Sequence, residues 1–147
     1  MNKAIWNPGE GDVLNVAGDP FVCKALSGDT GGEWSLFEAT VNPGSIVPEH
    51  RHEGFEESFY ILEGELEMQM NGEIMTVGAG HFIKVPRGAV HGYKNVSGAP
   101  VRYLTWTHPG GIEHFYGDID SEVKVLPDDF AKVPGIMKKH RIELVGV

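Results

Sequence analysis

Short segments that favour β-strand, separated by turn-forming residues, recur along this chain from Trp34 onward. The segments are rich in β-branched and aromatic residues, and each ends near Gly, Pro or Asn. Seven of them can be bounded, at residues 34–41, 57–62, 66–70, 74–77, 82–85, 90–96 and 101–107. Strands this short at such close intervals predict an all-β fold, an antiparallel sandwich or barrel.

One hairpin stands out within this series. Residues 66–70 (LEMQM) alternate apolar and polar side chains, the period of a strand with one face in water. Asn71-Gly72 follows, and both residues tolerate the positive φ angles of a type I′ turn. Residues 74–77 are then expected to return beside the first strand.

The C-terminal section has a different pattern. Asp128 can cap a short helix, which Pro134-Gly135 interrupts, so a kinked or two-part helix is predicted. Residues 142–147 (IELVGV) are expected to form a last strand, and residues 109–111 are interpreted as an exposed loop, with a cover over the mouth of a barrel as the alternative.

Length and composition limit the classes of function. A chain of 147 residues with 41% hydrophobic and 22% charged residues predicts a single globular domain, 1–147. The net charge of −9 and the absence of a basic run argue against nucleic acid as a partner. No apolar run has the roughly 20 residues of a membrane span. Cys23 is the only cysteine, and with no signal-peptide pattern at the N-terminus we expect a cytoplasmic protein without disulfides or membrane partners.

Four residues carry the ligand types of a metal site. His50 and His52 lie two apart and project from one face of an extended strand, while Glu57 and His91 begin later segments. Three imidazoles and a carboxylate suit one divalent transition metal (Fe, Mn, Ni, Co, Cu or Zn), whereas calcium would want more oxygens. Taken singly, each has a plainer explanation: a chance H-x-H, a solvated glutamate beside Glu56, or a core histidine.

The spacing of these residues resembles that of the cupin superfamily. Cupins carry the motifs G-x5-H-x-H-x3,4-E-x6-G and G-x5-P-x-G-x2-H-x3-N. This chain fills every specified position, with Gly44, His50, His52, Glu57 and Gly64 in the first motif and Gly80, Pro86, Gly88, His91 and Asn95 in the second. The resemblance implies an antiparallel double-stranded β-helix, a jelly-roll barrel, with its core at about 34–108 and a C-terminal extension at about 109–147.

The same resemblance implies the ligand set. In cupins the four matched residues bind the metal, which assigns His50, His52, Glu57 and His91 to that role here. Glu56 competes with Glu57, because adjacent strand residues face opposite sides and only one can be a ligand. The six-residue interval to Gly64 favours Glu57.

Residues 103–115 and 139–146 also resemble small bacterial cupins described as quercetin 2,3-dioxygenase-like. That likeness implies a metal-dependent dioxygenase of a small phenolic or enolisable compound, in which Glu57 also accepts the substrate hydroxyl proton. A metal-dependent isomerase, decarboxylase or lyase and a non-catalytic small-molecule binding cupin remain open as alternatives, because one fold hosts all three.

Some residues outside the motifs also enter the predictions. Five aromatic residues are available to line a substrate cavity, although core packing explains each as simply: Phe37, Phe59, Phe82, Tyr93 and Trp106. The remaining histidines are interpreted as a surface turn residue at His81, loop residues at His108 and His114, and a solvated helix end at His140. A homodimer is expected, since small cupins commonly pair and the outward side chains of Tyr60 and Leu62 need cover.

Overall fold

A computed structural model describes residues 3–146, which form eleven β-strands and two α-helices. The strands are β1 Val13–Val16, β2 Asp19–Ala25, β3 Ser35–Val41, β4 Ile46–His52, β5 Glu56–Glu63, β6 Glu65–Met70, β7 Glu73–Gly78, β8 Phe82–Val85, β9 His91–Lys94, β10 Val101–His108 and β11 Ile142–Leu144. The α-helices are α1 Glu113–Glu122 and α2 Val133–Lys139, and 3-10 turns cover Ser27–Asp29 and Asp128–Lys132.

The strands form two facing antiparallel sheets. One has the order β1-β2-β3-β10-β5-β8 and the other the order β11-β4-β9-β6-β7. Along β3 and β10 every second residue is buried, so one face of each strand points into the barrel. Phe37, Ile61, Leu66 and Tyr103 are among the side chains that fill the space between the sheets. The predicted antiparallel double-sheet barrel is confirmed.

The β6–β7 hairpin agrees with its sequence pattern. Leu66 and Met68 are buried, Glu67 is partly exposed, and Met70 pairs with Glu73 across the turn. Asn71 and Gly72 have φ angles of +48° and +86°, as a type I′ turn requires.

Both ends of the chain differ in detail from the sequence prediction. Strands β1 and β2 precede the predicted series and extend the edge of the first sheet. Helix α1 replaces the loop expected after Gly111; its Tyr116 and Ile119 are buried, so tertiary packing outweighs a sequence with little helix propensity. The predicted two-part C-terminal helix is confirmed, as a 3-10 turn followed by α2. The prediction that Asp128 caps it is wrong: Pro127 is the N-cap residue, and Asp128 lies in the first turn and makes no capping hydrogen bond. Pro134 lies in the first turn of α2, where proline is tolerated, rather than at the break.

The last strand is shorter than predicted and ends at Leu144, and Val147 lies outside the described residues. Strand β11 pairs with β4, placing Ile142 opposite His52 and Leu144 opposite His50. Among residues 3–146, no helix is long and apolar enough to cross a membrane.

Candidate metal centre

A β-bulge in β4 brings His50 directly opposite His91. Val47 pairs with Tyr93, but the next paired positions along the two strands are His50 and His91. Two residues of β4 therefore face the single Gly92 of β9. The extra residue shifts the register by one, which puts both imidazoles on the inner face of the sheet.

Gly92 is the position that accommodates this bulge, and we predict that Gly92→Ala is strongly destabilising. A Cβ atom there would lie 2.6 Å from the carbonyl oxygen of Val47 and 3.0 Å from the amide nitrogen of Glu49. Both are backbone atoms, so β4 and β9 must separate, which we expect to lower the free energy of unfolding by about 2 kcal/mol or more. Chemical denaturation measures this.

Gly54→Ala is the matched control for that substitution. Gly54 lies between β4 and β5, and a Cβ atom there would meet no heavy atom within 4 Å. We expect a change within about 0.5 kcal/mol. Equal unfolding midpoints for the two variants would contradict the structural role assigned to Gly92.

Glu57 lies on the opposite sheet and faces strands β4 and β9, which carry the three histidines. It lies on the inner face of β5 and is buried, whereas Glu56 is partly exposed and lies outside the cluster. Oε2 of Glu57 accepts a hydrogen bond from Oγ1 of Thr105 at 3.4 Å. The structure thus brings Glu57, and not Glu56, together with the histidines.

The four predicted ligands form one compact cluster. One ligand atom from each lies within 4.8 Å of the others. Oε1 of Glu57 is 3.4 Å from Nε2 of His52 and 3.2 Å from Nε2 of His91. The exposed fractions are 8% for His50, 3% for His52, 5% for Glu57 and 2% for His91. Such a set of buried donors can hold a metal ion.

Backbone carbonyls fix the tautomer of all three imidazoles. Each Nδ1 lies within hydrogen-bonding distance of a carbonyl oxygen, which can only accept, so Nδ1 carries the hydrogen. In the neutral rings Nε2 therefore has its lone pair free. The distances are 2.7 Å from His50 to the carbonyl of Pro48, 3.1 Å from His52 to that of Phe55, and 3.0 Å from His91 to that of Ala89.

The electrostatics of the cluster favour a cation at its centre. Burial, together with the neighbouring His91, lowers the pKa of His50 to about 4, which keeps that ring neutral. Burial opposes the charge of Glu57, but His52 and His91, when protonated, donate from Nε2 to its carboxylate, and these hydrogen bonds hold its pKa below the usual range. Burial also opposes the charge of His91, yet its hydrogen bond with Glu57 raises its pKa. A carboxylate among imidazole nitrogens therefore calls for one positive charge, from a proton or a metal ion.

A cavity of about 690 Å³ opens from this cluster. Its walls come from both sheets, the β1–β2 hairpin, the β3–β4 turn and the C-terminal helices. Of the five aromatic candidates, Phe59 and Tyr93 line the cavity and Phe37 is core. Phe82 and Trp106 instead stack on each other outside it, with ring centroids 6.0 Å apart.

Several lining residues are absent from the sequence prediction. Tyr103, on the inner face of β10, has its hydroxyl 2.8 Å from that of Tyr93. Tyr116 reaches the cavity from α1, and Asp19 from the start of β2. The alternation of buried residues along β10 is clear only in the structure, because Leu104 and Trp106 make both faces of its sequence apolar, and nothing local to the sequence indicates Tyr116 or Asp19.

The other histidines lie away from the cluster. His81 is exposed in the turn between β7 and β8, as predicted. His108 and His114 are also exposed, at the end of β10 and on α1. His140 differs from the prediction of a solvated helix end: it is partly buried, and its Nε2 lies 2.6 Å from Oδ2 of Asp118.

Comparison with known proteins agrees with this geometry. The family described as "Cupin domain" matches residues 37–108. The chain is 30% identical over 121 residues to "Polyketide synthase CurC" of Streptomyces cyaneus, covering 82% of this chain and 77% of the relative. It is 31% identical over 90 residues to "Quercetin 2,3-dioxygenase" of Bacillus subtilis, covering 61% of this chain but 27% of that longer protein.

A solved structure is similar over most of the fold. The polyketide cyclase RemF of Streptomyces resistomycificus superposes with a TM-score of 0.60 at 26% identity, covering 74% of this chain and 80% of RemF. Fold, motif positions and relatives agree, and the chain belongs to the cupin superfamily.

Proposed function

We propose that this protein is a metal-dependent dioxygenase of a small phenolic or enolisable compound, with one divalent transition metal held by His50, His52, Glu57 and His91. The observation that carries the proposal is the convergence of three fixed Nε2 lone pairs and one carboxylate on the wall of a cavity. When bound, such an ion supplies Lewis acidity towards a substrate oxygen and, in its redox-active forms, chemistry with O2.

Glu57 is the residue proposed to move a proton. Its carboxylate is ionised, buried and at the cavity wall, where it can accept the hydrogen of a substrate hydroxyl. A carboxylate is a weak base, so the hydroxyl that gives up its hydrogen must be correspondingly acidic. An enol or a phenol meets that condition better than an aliphatic alcohol.

The cavity suits a flat aromatic compound. Its volume of about 690 Å³ is in the usual range of small-molecule sites, and Phe59 and Tyr93 supply apolar ring surface near the cluster. The hydroxyls of Tyr93 and Tyr103 carry two hydrogens and use one between them, so the other can donate to a substrate carbonyl.

A reaction that needs no O2 is the second candidate. The likeness to CurC and to the polyketide cyclase RemF favours it, since ring closure of an enolisable chain requires proton transfer but no oxidant. Glu57 would play the same part in an isomerase, decarboxylase or lyase of this kind.

Oxygen uptake separates the two candidates. Protein reconstituted singly with Fe, Mn, Ni, Co or Cu is mixed with a panel of flavonols and catechols in an oxygen electrode. A dioxygenase consumes one O2 for each substrate lost in at least one metal form, and the zinc form serves as the redox-inert control. Substrate loss at the same rate without O2 supports the second candidate, and binding without turnover supports a non-catalytic cupin.

A homodimer also remains a proposal. Of the two residues predicted to need cover, Tyr60 is 40% exposed, whereas Leu62 is already partly buried. Tyr60 pairs on the outer face of the first sheet with Phe82, which is 57% exposed and stacks on Trp106. An apolar face of this kind commonly pairs with its own copy. Sedimentation at micromolar concentration should give a dimer that Tyr60→Glu dissociates, whereas Ile74→Glu on the other sheet should leave it intact. A monomeric wild-type chain contradicts the proposal.

A further inference from the structure

We infer that Asp19 is a second recognition point of the cavity, and that it accepts a hydrogen bond from a hydroxyl group at the end of the substrate remote from the metal centre. The inference rests on the proposed function, in which an acidic hydroxyl of the same compound lies beside Glu57. The inference requires a hydroxyl group at the other end of the substrate as well. The substrate class is then limited to elongated compounds with an oxygen substituent at each end.

Asp19 is an unusual residue for its position. It is the first residue of β2, is only 6% exposed and lines the cavity, whose wall is mostly apolar. A buried carboxylate is costly unless hydrogen bonds compensate for its lost hydration. Burial accordingly raises its pKa, against the opposing effect of hydrogen bonds from Asn42 and Ser45.

Only one of the two carboxylate oxygens of Asp19 accepts hydrogen bonds from the described part of the chain. Oδ1 accepts hydrogen bonds from the backbone nitrogen of Asn42 at 3.0 Å and from Oγ of Ser45 at 2.8 Å, which hold the β3–β4 turn. The side-chain amide of Asn42, which also helps to lower the pKa of Asp19, donates to the carbonyl oxygen of Gly18 at 2.8 Å. Neither this amide nor another group among residues 3–146 makes a hydrogen bond of good geometry with Oδ2. An asparagine oxygen would serve the turn equally well, so the second oxygen is what aspartate adds.

The position of Asp19 defines the length of the ligand. It contacts Ser45, which precedes β4, and both Ser45 and His50 line the same cavity. Five residues of extended chain span at most about 16 Å, and the bulge in β4 shortens this somewhat, so the two ends are separated by about the length of a three-ring aromatic compound. A compound that places one oxygen beside Glu57 can therefore place another beside Asp19.

A neutral hydroxyl fits this oxygen better than an ammonium group. The charge of Asp19 is already shared with two donors, and the cavity around it is mostly apolar. A buried cation would lose its hydration in exchange for a single oxygen, whereas a hydroxyl has only one hydrogen to satisfy.

Ligand binding to the zinc-loaded full chain tests the inference without turnover. The probes are 3-hydroxyflavones with one further hydroxyl, at position 7 or at position 4′, and the matching methyl ethers, which keep the oxygen but lack the hydrogen. We expect the wild type to bind one hydroxyl compound at least about tenfold more tightly than its ether, the usual effect of a hydrogen bond to a charged group. Asp19→Asn should abolish that preference, because it puts an amide N–H where Oδ2 was.

Ser45→Ala is the matched control, since it removes a bond to Oδ1 and leaves Oδ2 in place; it should keep the preference. Equal affinity of the wild type for hydroxyl and ether overturns the inference and requires no variant. Retention of the preference in Asp19→Asn, or failure of both compounds to bind at their solubility limit, also overturns it. The proposed function is judged separately by oxygen uptake and metal content, which do not depend on Asp19.

Discussion

Glu57→Gln is expected to keep the metal ion and to lose about 10²–10⁴-fold in turnover, the usual worth of general-base assistance. Glutamine keeps the size of the side chain and one carbonyl oxygen, so it can still serve as a ligand, although more weakly without its charge. It cannot accept the substrate proton, because an amide oxygen is far too weakly basic at neutral pH. Metal content and turnover are measured on the same batch of protein.

Glu56→Gln is the matched control for that experiment. Glu56 is the adjacent residue on β5 but lies outside the cluster, so its loss of charge should change neither metal content nor turnover. If Glu57→Gln retained full metal with near-normal turnover, Glu57 would be a ligand only, and another group would have to accept the proton.

His52→Ala and His91→Ala are each expected to lose the bound metal without losing the fold. Each removes one of three nitrogens whose lone pairs are fixed towards the centre. The strands that carry them are held by backbone pairing and by a core elsewhere in the barrel, so circular dichroism should be unchanged.

Elemental analysis of the purified variants decides this prediction. His81→Ala is the control, since the His81 side chain is exposed in a turn and hydrogen-bonds with the backbone of Gly78, and the metal content of this variant should equal that of the wild type. Unchanged metal stoichiometry in His52→Ala and His91→Ala would show that other residues hold the ion.

The parts of the fold that could be predicted from sequence are those set by local rules. Alternation along residues 66–70 and the Asn71-Gly72 turn specify a hairpin whose pairing involves neighbours in the chain. The two histidine-containing motifs located the cluster because their spacing carries information about distant contacts that no single residue carries. The six-residue interval to Gly64 distinguished Glu57 from Glu56 as the ligand. The structure agrees, because Glu57 lies on the inner face of β5.

The features that were missed depend on contacts distant in sequence. The bulge in β4 exists because Gly92, more than forty residues later, leaves room for it. Pro48 within the strand was a signal for an irregularity, but not for its register. Helix α1 is stabilised by burying Tyr116 and Ile119 against elements far away in the chain. The place of Asp19 in the cavity likewise follows from the turn that it holds.

Anomalous diffraction from crystals of the wild-type chain, grown with the metal it retains on purification, tests the central claim most directly. The account predicts one peak per chain, at about 2.0–2.3 Å from Nε2 of His50, His52 and His91 and from one oxygen of Glu57. The three Nδ1 atoms should keep their hydrogen bonds to the backbone carbonyl oxygens of Pro48, Phe55 and Ala89. A peak bound through Nδ1, a peak at other residues, or no peak in crystals of protein that contains one metal per chain would contradict it.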